Sequence, residues 1–276
     1  MIEHKIALII CWYGAYPWFF PYFIHSCTYN PTIDFYIITD NKDIIPNKPV
    51  NVIIIKKSIE QIKISALKKL GFAVNIDYPY KFNDFKPAYA FLFPEIIKGY
   101  HFWGYGDIDV IYGNIRNFIT EEILQVHDVI SVRHDFLPGA FSLYKNCEQI
   151  NELFMKSKDY KKVFTEYKHY CFDETNFTYK AFAKGIPVEK IDSEIESMTH
   201  LVKKLHNQKV INAYFDFHVI EGLPGKIKWE NGILTYKNTM EGILYHLIKL
   251  KKIYTPKTEV QKIPETFYIS QTRIYF

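Results

Sequence analysis

His101-Phe-Trp-Gly-Tyr-Gly-Asp-Ile-Asp109 is the stretch that decides the fold. Its first six residues are uncharged and rich in rings, and they end at a pair of aspartates. A short apolar run of this kind reads as a strand buried on both faces. In a sheet covered by helices on both sides, ligands bind just beyond the carboxyl ends of the strands, where Asp107 and Asp109 fall. Asp107-Ile-Asp109 is the only D-x-D in the chain, and Gly106 and Gly113 flank it.

The sequence on either side supports such a sheet. Lys5–Cys11 reads as a buried strand, Pro17–Cys27 as a helix, Ile33–Thr39 as a second strand and Val50–Ile55 as a third. Ser58–Leu70 is amphipathic, and Ser58 with Gln61 forms the pattern of a capping box. Asp84–Lys98 is expected to be a helix that runs to Gly99. Further strands are expected at Asp128–Val132 and Ala140–Tyr144, and helices at Asn146–Lys156, Asp173–Lys184 and Met240–Lys251. Lys226–Tyr236 reads as a hairpin turning at Asn231-Gly232. Strands alternating with helices predict an α/β fold, a mostly parallel sheet with helices on both faces and a mixed C-terminal part. With no repeats and no low-complexity linker, the 276 residues are expected to form one continuous domain.

Composition narrows the function. Hydrophobic residues are 48% and charged residues 23%, which excludes a disordered or fibrous chain. A net charge of +4 suits a phosphate-bearing ligand but is too weak for a nucleic-acid protein. Only Arg116, Arg133 and Arg273 are arginines, which further argues against nucleic-acid readout. Cys11, Cys27, Cys147 and Cys171 form no C-x-x-C pair, which points to free thiols and a cytoplasmic location. Ile6–Ile24 lacks charge, yet Gly14, Pro17 and Pro21 interrupt it, so it reads as a strand, a turn and a helix rather than a membrane span. The aromatic, lysine-rich Tyr245–Lys257 segment could rest on an anionic membrane face or be a solvated helix end.

Two carboxylates on one short turn can hold a hard divalent cation such as Mn²⁺ or Mg²⁺ and leave positions free for phosphate oxygens. The same pair can also be a solvated strand end. The histidines show no i, i+4 pair and no H-E-x-x-H, so a zinc hydrolase is not supported.

The run NDFKPAYAFLFPEIIKGYHFWGYGDIDVIYGNI, residues 83–115, resembles the D-x-D region of GT-A-fold glycosyltransferases that use nucleotide sugars. It resembles in particular bacterial enzymes encoded with capsule and lipopolysaccharide genes, which implies a part in polysaccharide biosynthesis. The resemblance implies a GT-A-like (Rossmann-like) fold in which residues 1–115 bind the nucleotide and residues 116–276 face the acceptor. It implies transfer of a monosaccharide from a nucleotide diphosphate sugar, a UDP-sugar, to a glycan or lipid-linked acceptor. Asp107 and Asp109 would hold Mn²⁺ or Mg²⁺, with His246 completing the site. Asp84 and Lys86 stand where related enzymes carry an Asp-x-x-Arg or similar motif, with a lysine point charge in place of a guanidinium fork. Cys11, at the end of the first strand, Tyr13, just after it, and Asp40, after the second, would contact the base and ribose. Leu137–Asn146 resembles the strand lining the sugar and acceptor pocket. Asp173 or Glu174 would act as base on the acceptor side, although both also suit a helix N-terminus. Lys86 and Lys249 would assist the leaving diphosphate.

Two other classes stay open. A sugar nucleotidyltransferase would share the sheet and the acidic site, but Cys11–Tyr16 holds one glycine where that class needs a glycine-rich phosphate loop. A scaffold that binds nucleotide or carbohydrate without turnover would keep the fold alone.

Overall fold

The computed structural model describes residues 4–258, Val260 and 262–276. In chain order the strands are β1 (Ile6–Cys11), β2 (Ile33–Thr39), β3 (Val52–Lys56), β4 (Phe102–Gly106), β5 (Val110–Tyr112), β6 (Val129–Ser131), β7 (Phe141–Lys145) and β8 (Ala213–Phe215). Then follow β9 (Val219–Ile220), β10 (Ile227–Glu230), β11 (Ile233–Tyr236), β12 (Met240–Glu241), β13 (Leu244–His246), β14 (Thr266–Ile269) and β15 (Ile274–Tyr275). The main sheet has seven strands in the order β3-β2-β1-β4-β7-β6-β8. Neighbours are parallel except where β7 runs against β4 and β6.

The period-2 alternation of β1 divides the core in two. Leu8 and Ile10 face one layer, with Phe20, Phe23 and Cys27 from helix α1 (Phe20–Thr28). Ile9 faces the other with Trp103 and Tyr105, under Ile62 and Ala66 of helix α2 (Ile59–Leu70). Helices therefore cover both faces, as the uncharged strands require. The α2 capping box between Ser58 and Gln61 is formed, and Gly71 at φ 78° ends the helix. The uncharged Ile6–Ile24 run is β1, a turn and the start of α1, and no described helix is long and apolar enough to cross a membrane.

Five expected helices differ from those observed. α1 begins three residues later than expected, because Pro21 rather than Pro17 occupies its first turn. Asp84–Lys98 is broken into a 3₁₀ stretch, Pro79–Ala88, and two single turns, Tyr89–Leu92 and Pro94–Ile97. Pro87 and Pro94 each remove an N–H, so no continuous ladder can form. Asn146–Lys156 likewise divides into Glu148–Asn151 and a 3₁₀ turn, Leu153–Lys156. Asp173 and Glu174 are not at a helix start: the helix there spans only Tyr179–Ala183. Before it, Cys171, Asn176 and Phe177 take φ values of 53°, 51° and 63°, a left-handed backbone that no helix admits.

The largest difference is Met240–Lys251, which holds two short strands, Met240–Glu241 and Leu244–His246, in place of a helix. Leu244–His246 pairs antiparallel with β5 and parallel with β9, and only Leu250–Ile253 is helical. Pairing with distant strands overrides the local helical pattern. The Asn231-Gly232 turn forms as expected, with φ of 48° and 84°. Its hairpin belongs to a five-stranded antiparallel sheet, β12-β11-β10-β14-β15, whose inner face buries Trp229 and Phe267. The small sheet β5-β13-β9 has one consequence for the site: it carries the C-terminal part back onto the D-x-D.

Candidate active site

Asp107 and Asp109 sit in the tight connection between β4 and β5, two consecutive strands in different sheets. The register pairs His246 with Val110, so the histidine lies beside Asp109, and Leu247 N donates to Asp109 O at 2.8 Å. One ligand atom from each of Asp107, Asp109 and His246 lies within 4.8 Å of the others. Two carboxylates and an imidazole form a donor set suited to Mn²⁺ or Mg²⁺.

Lysines neutralise both carboxylates. Lys86 Nζ donates to Asp107 Oδ1 at 2.7 Å, and Lys251 Nζ donates to Asp109 Oδ2 at 2.5 Å. His246 Nε2 is 3.4 Å from the same Asp109 oxygen. Burial alone would raise Asp109, yet His246 and Lys251 hold its carboxyl below the usual range. Burial raises Asp107, with Lys86 opposing and Asp109 adding to the rise. His246 would be depressed by burial, but Asp109 and Glu221 outweigh it and push its pKa up to about 10. With a carboxylate facing each ring nitrogen, the surroundings favour the protonated ring, and a cation bound through Nε2 would displace that proton.

On the other side of Asp107, Lys86 is the hub. Its ammonium is buried and also donates to Gly139 O at 2.9 Å, with Asp173 Oδ2 at 3.6 Å. Burial works against its charge, but Asp107 and Asp173 keep its pKa raised. Gly139 has to be glycine on packing grounds: a Cβ there would lie 2.6 Å from Asp173 Oδ2 and 3.1 Å from both Glu174 Oε1 and Lys86 Nζ. The two acidic neighbours differ. Glu174 accepts from Gly139 N at 2.6 Å and from the Tyr179 hydroxyl, so both of its oxygens are engaged. The Asp173 carboxyl accepts no hydrogen bond among the described residues, and burial raises its pKa against the pull of Lys86.

The remaining expected site residues fall in three places. Asp84 faces inward, fully buried, where it accepts from Lys81 Nζ at 2.9 Å, Tyr170 N at 3.0 Å and Phe172 N at 2.9 Å. Its carboxylate is thus spent on holding the chain that leads into Asp173. Cys11 is the last residue of β1, and Tyr13 lies just past it. Burial raises the Cys11 thiol to about 12. Tyr13 donates to Lys57 O at 3.1 Å and stacks on Phe82 at 5.0 Å. Asp40 is exposed at the end of β2. Lys249 is also exposed, and the lysine that reaches the carboxylates is Lys251, two residues on. Leu250–Ile253 is a helical turn, so alternate lysines point in different directions. Sequence reading did not single out Gly139, Glu221 or Arg133, although Gly139 lies within the Leu137–Asn146 stretch it marked. All four cysteines are free.

Among solved structures, the chain is similar to the apo-form glycosyltransferase GlyE of Streptococcus pneumoniae TIGR4, at 13% identity over 76% of this chain and 44% of that one, with a TM-score of 0.34. A second structure of GlyE from the same strain aligns at 10% identity over 77% of this chain and 45% of that one, with a TM-score of 0.31. The chain thus spans less than half the length of either. No curated protein matches the sequence. A family model described as a family of unknown function, DUF6625, matches residues 8–276, and the chain belongs to that family.

Proposed function

We propose that this protein is a glycosyltransferase that takes a monosaccharide from a nucleotide diphosphate sugar, a UDP-sugar, and passes it to a glycan or lipid-linked acceptor. One observation carries the reading: Asp107, Asp109 and His246 converge within 4.8 Å beside a buried lysine and a second acidic pair. A divalent cation held by those three residues would offset the charge that grows on the leaving diphosphate. Lys251, which lies on Asp109, would neutralise the phosphates beside that cation, in the part sequence alone gave to Lys249. Lys86 stays between Asp107 and Asp173, keeping both carboxyls in position.

Residues 1–115 supply the nucleotide side of this single domain, with Tyr13 and Asp40 at the base and ribose and Cys11 packed behind them. Residues 116–276 supply the acceptor side. There Asp173 is the base, since its carboxyl faces Lys86 but accepts no hydrogen bond among the described residues and is raised by burial, as suits a group that lifts a proton from an acceptor hydroxyl. Glu174, tied to Gly139 and Tyr179, holds the loop.

The reading is tested by incubating the protein with UDP-sugars, with and without Mn²⁺, and measuring UDP release. Release that needs Mn²⁺ and falls by about 10²–10³-fold in Asp109→Asn is the expected result. Equal release in EDTA would remove the metal and leave Lys86 and Lys251 as the neutralising charges. Turnover of UTP and a sugar 1-phosphate instead would make the protein a nucleotidyltransferase. No turnover, with nucleotide still bound, would make it a scaffold.

A further inference from the structure

Behind His246 lies a charged assembly that the proposed reaction leaves unused. Strand β9 runs parallel to β13, with Val219 opposite Leu244 and Ile220 opposite Tyr245, so the next residue of each, Glu221 and His246 respectively, emerges close to the other. Glu221 is not free to turn. Arg133 donates through Nη1 to Glu221 Oε2 at 2.5 Å. Arg133 is itself forked onto Asp135, Nε to Oδ1 at 2.9 Å and Nη2 to Oδ2 at 2.8 Å, and its guanidinium lies 4.3 Å over the Phe136 ring. A two-point arginine–carboxylate fork fixes direction as well as charge. Glu221 is therefore left with one oxygen, Oε1, and that oxygen lies 3.7 Å from His246 Nδ1, an ion-pair separation. The other ring nitrogen, Nε2, faces Asp109. Glu221 is not among the residues whose ligand atoms converge.

We propose that Glu221, locked by Arg133, is the positioning residue of the cation site: it takes the Nδ1–H of His246 and leaves the Nε2 lone pair turned toward Asp107 and Asp109. This rests on the metal-site reading above. A histidine ligand without such a partner loses its fixed tautomer and ring orientation, at a cost of about 10–100-fold in metal affinity.

The experiment is Mn²⁺ titration followed by electron paramagnetic resonance, with the melting temperature of each variant recorded alongside. Glu221→Ala is expected to weaken Mn²⁺ by about 10–100-fold while remaining folded. Glu221→Met, which keeps the volume but offers no oxygen to Nδ1–H, is expected to be as weak as Glu221→Ala. Loss of packing alone would be largely repaired by a side chain of that size. Wild-type affinity in Glu221→Ala, or a folded Glu221→Met that binds Mn²⁺ like the unmodified protein, would overturn the proposal and leave the metal site standing. Absence of Mn²⁺ binding by the unmodified protein would overturn both.

Discussion

Asp84→Ala is expected to destabilise the protein by about 3–5 kcal/mol, read as a fall in the urea midpoint without loss of cooperativity. Lys81 and Asp84 are both fully buried and 2.9 Å apart. Removing the carboxylate leaves the Lys81 ammonium, among the described residues, with the carbonyls of Val163 and Lys168 as hydrogen-bond partners and the Tyr170 ring 5.4 Å away. A lone buried charge is the costly case, whereas replacing both partners with apolar groups is nearly neutral. The double variant Lys81→Met with Asp84→Leu should regain only the part of the loss due to the bare charge, because the N–H groups of Tyr170 and Phe172 still lose their acceptor. The pH dependence has a definite sign. Burial already depresses Lys81 against the pull of Asp84, and without Asp84 the depression deepens. The folded state then binds fewer protons than the unfolded one, so Asp84→Ala should gain stability as pH rises toward the ordinary lysine range. A loss under about 1 kcal/mol would mean that Lys81 finds water, and that Asp84 does not anchor residues 168–172.

The second large effect is expected from Gly139→Ala. Its added Cβ would be 2.6 Å from the Asp173 carboxylate and 3.1 Å from Lys86 Nζ, so at least one of these groups must move. Misplacement of a reacting group by about 1 Å costs about 10²-fold in rate, and overpacking costs about 1–3 kcal/mol in stability. The expected result is a folded protein with UDP release reduced by about 10²-fold and nucleotide binding largely kept. Near-normal turnover would show that the cradle of Lys86, Asp173 and Gly139 is not part of the reacting centre.

How far the sequence could be read depended on whether the deciding contacts were local. β1, β2, β4 and α2 were legible because uncharged runs and a capping box are local signals, and they suffice to bring Asp107 and Asp109 to the carboxyl end of the central strand of a mostly parallel sheet. Met240–Lys251 was misread because its strand character comes from pairing with residues 110–112 and 219–220, which no local window contains. His246 was found for the wrong element: it reaches Asp109 by strand register, and the same register brings Glu221 into place. Lys251 rather than Lys249 faces the site because a helical turn begins at Leu250, a boundary set by packing. Asp84 carried the charge expected of a ligand contact, but a buried lysine three residues earlier claims it.

The most direct measurement is calorimetric titration of UDP into the purified protein, in Mn²⁺ and then in EDTA, with Asp109→Asn alongside. UDP is expected to bind in Mn²⁺, to lose that binding in EDTA, and to bind Asp109→Asn weakly under both conditions. Binding of equal strength in all four titrations would contradict a cation held by Asp107, Asp109 and His246.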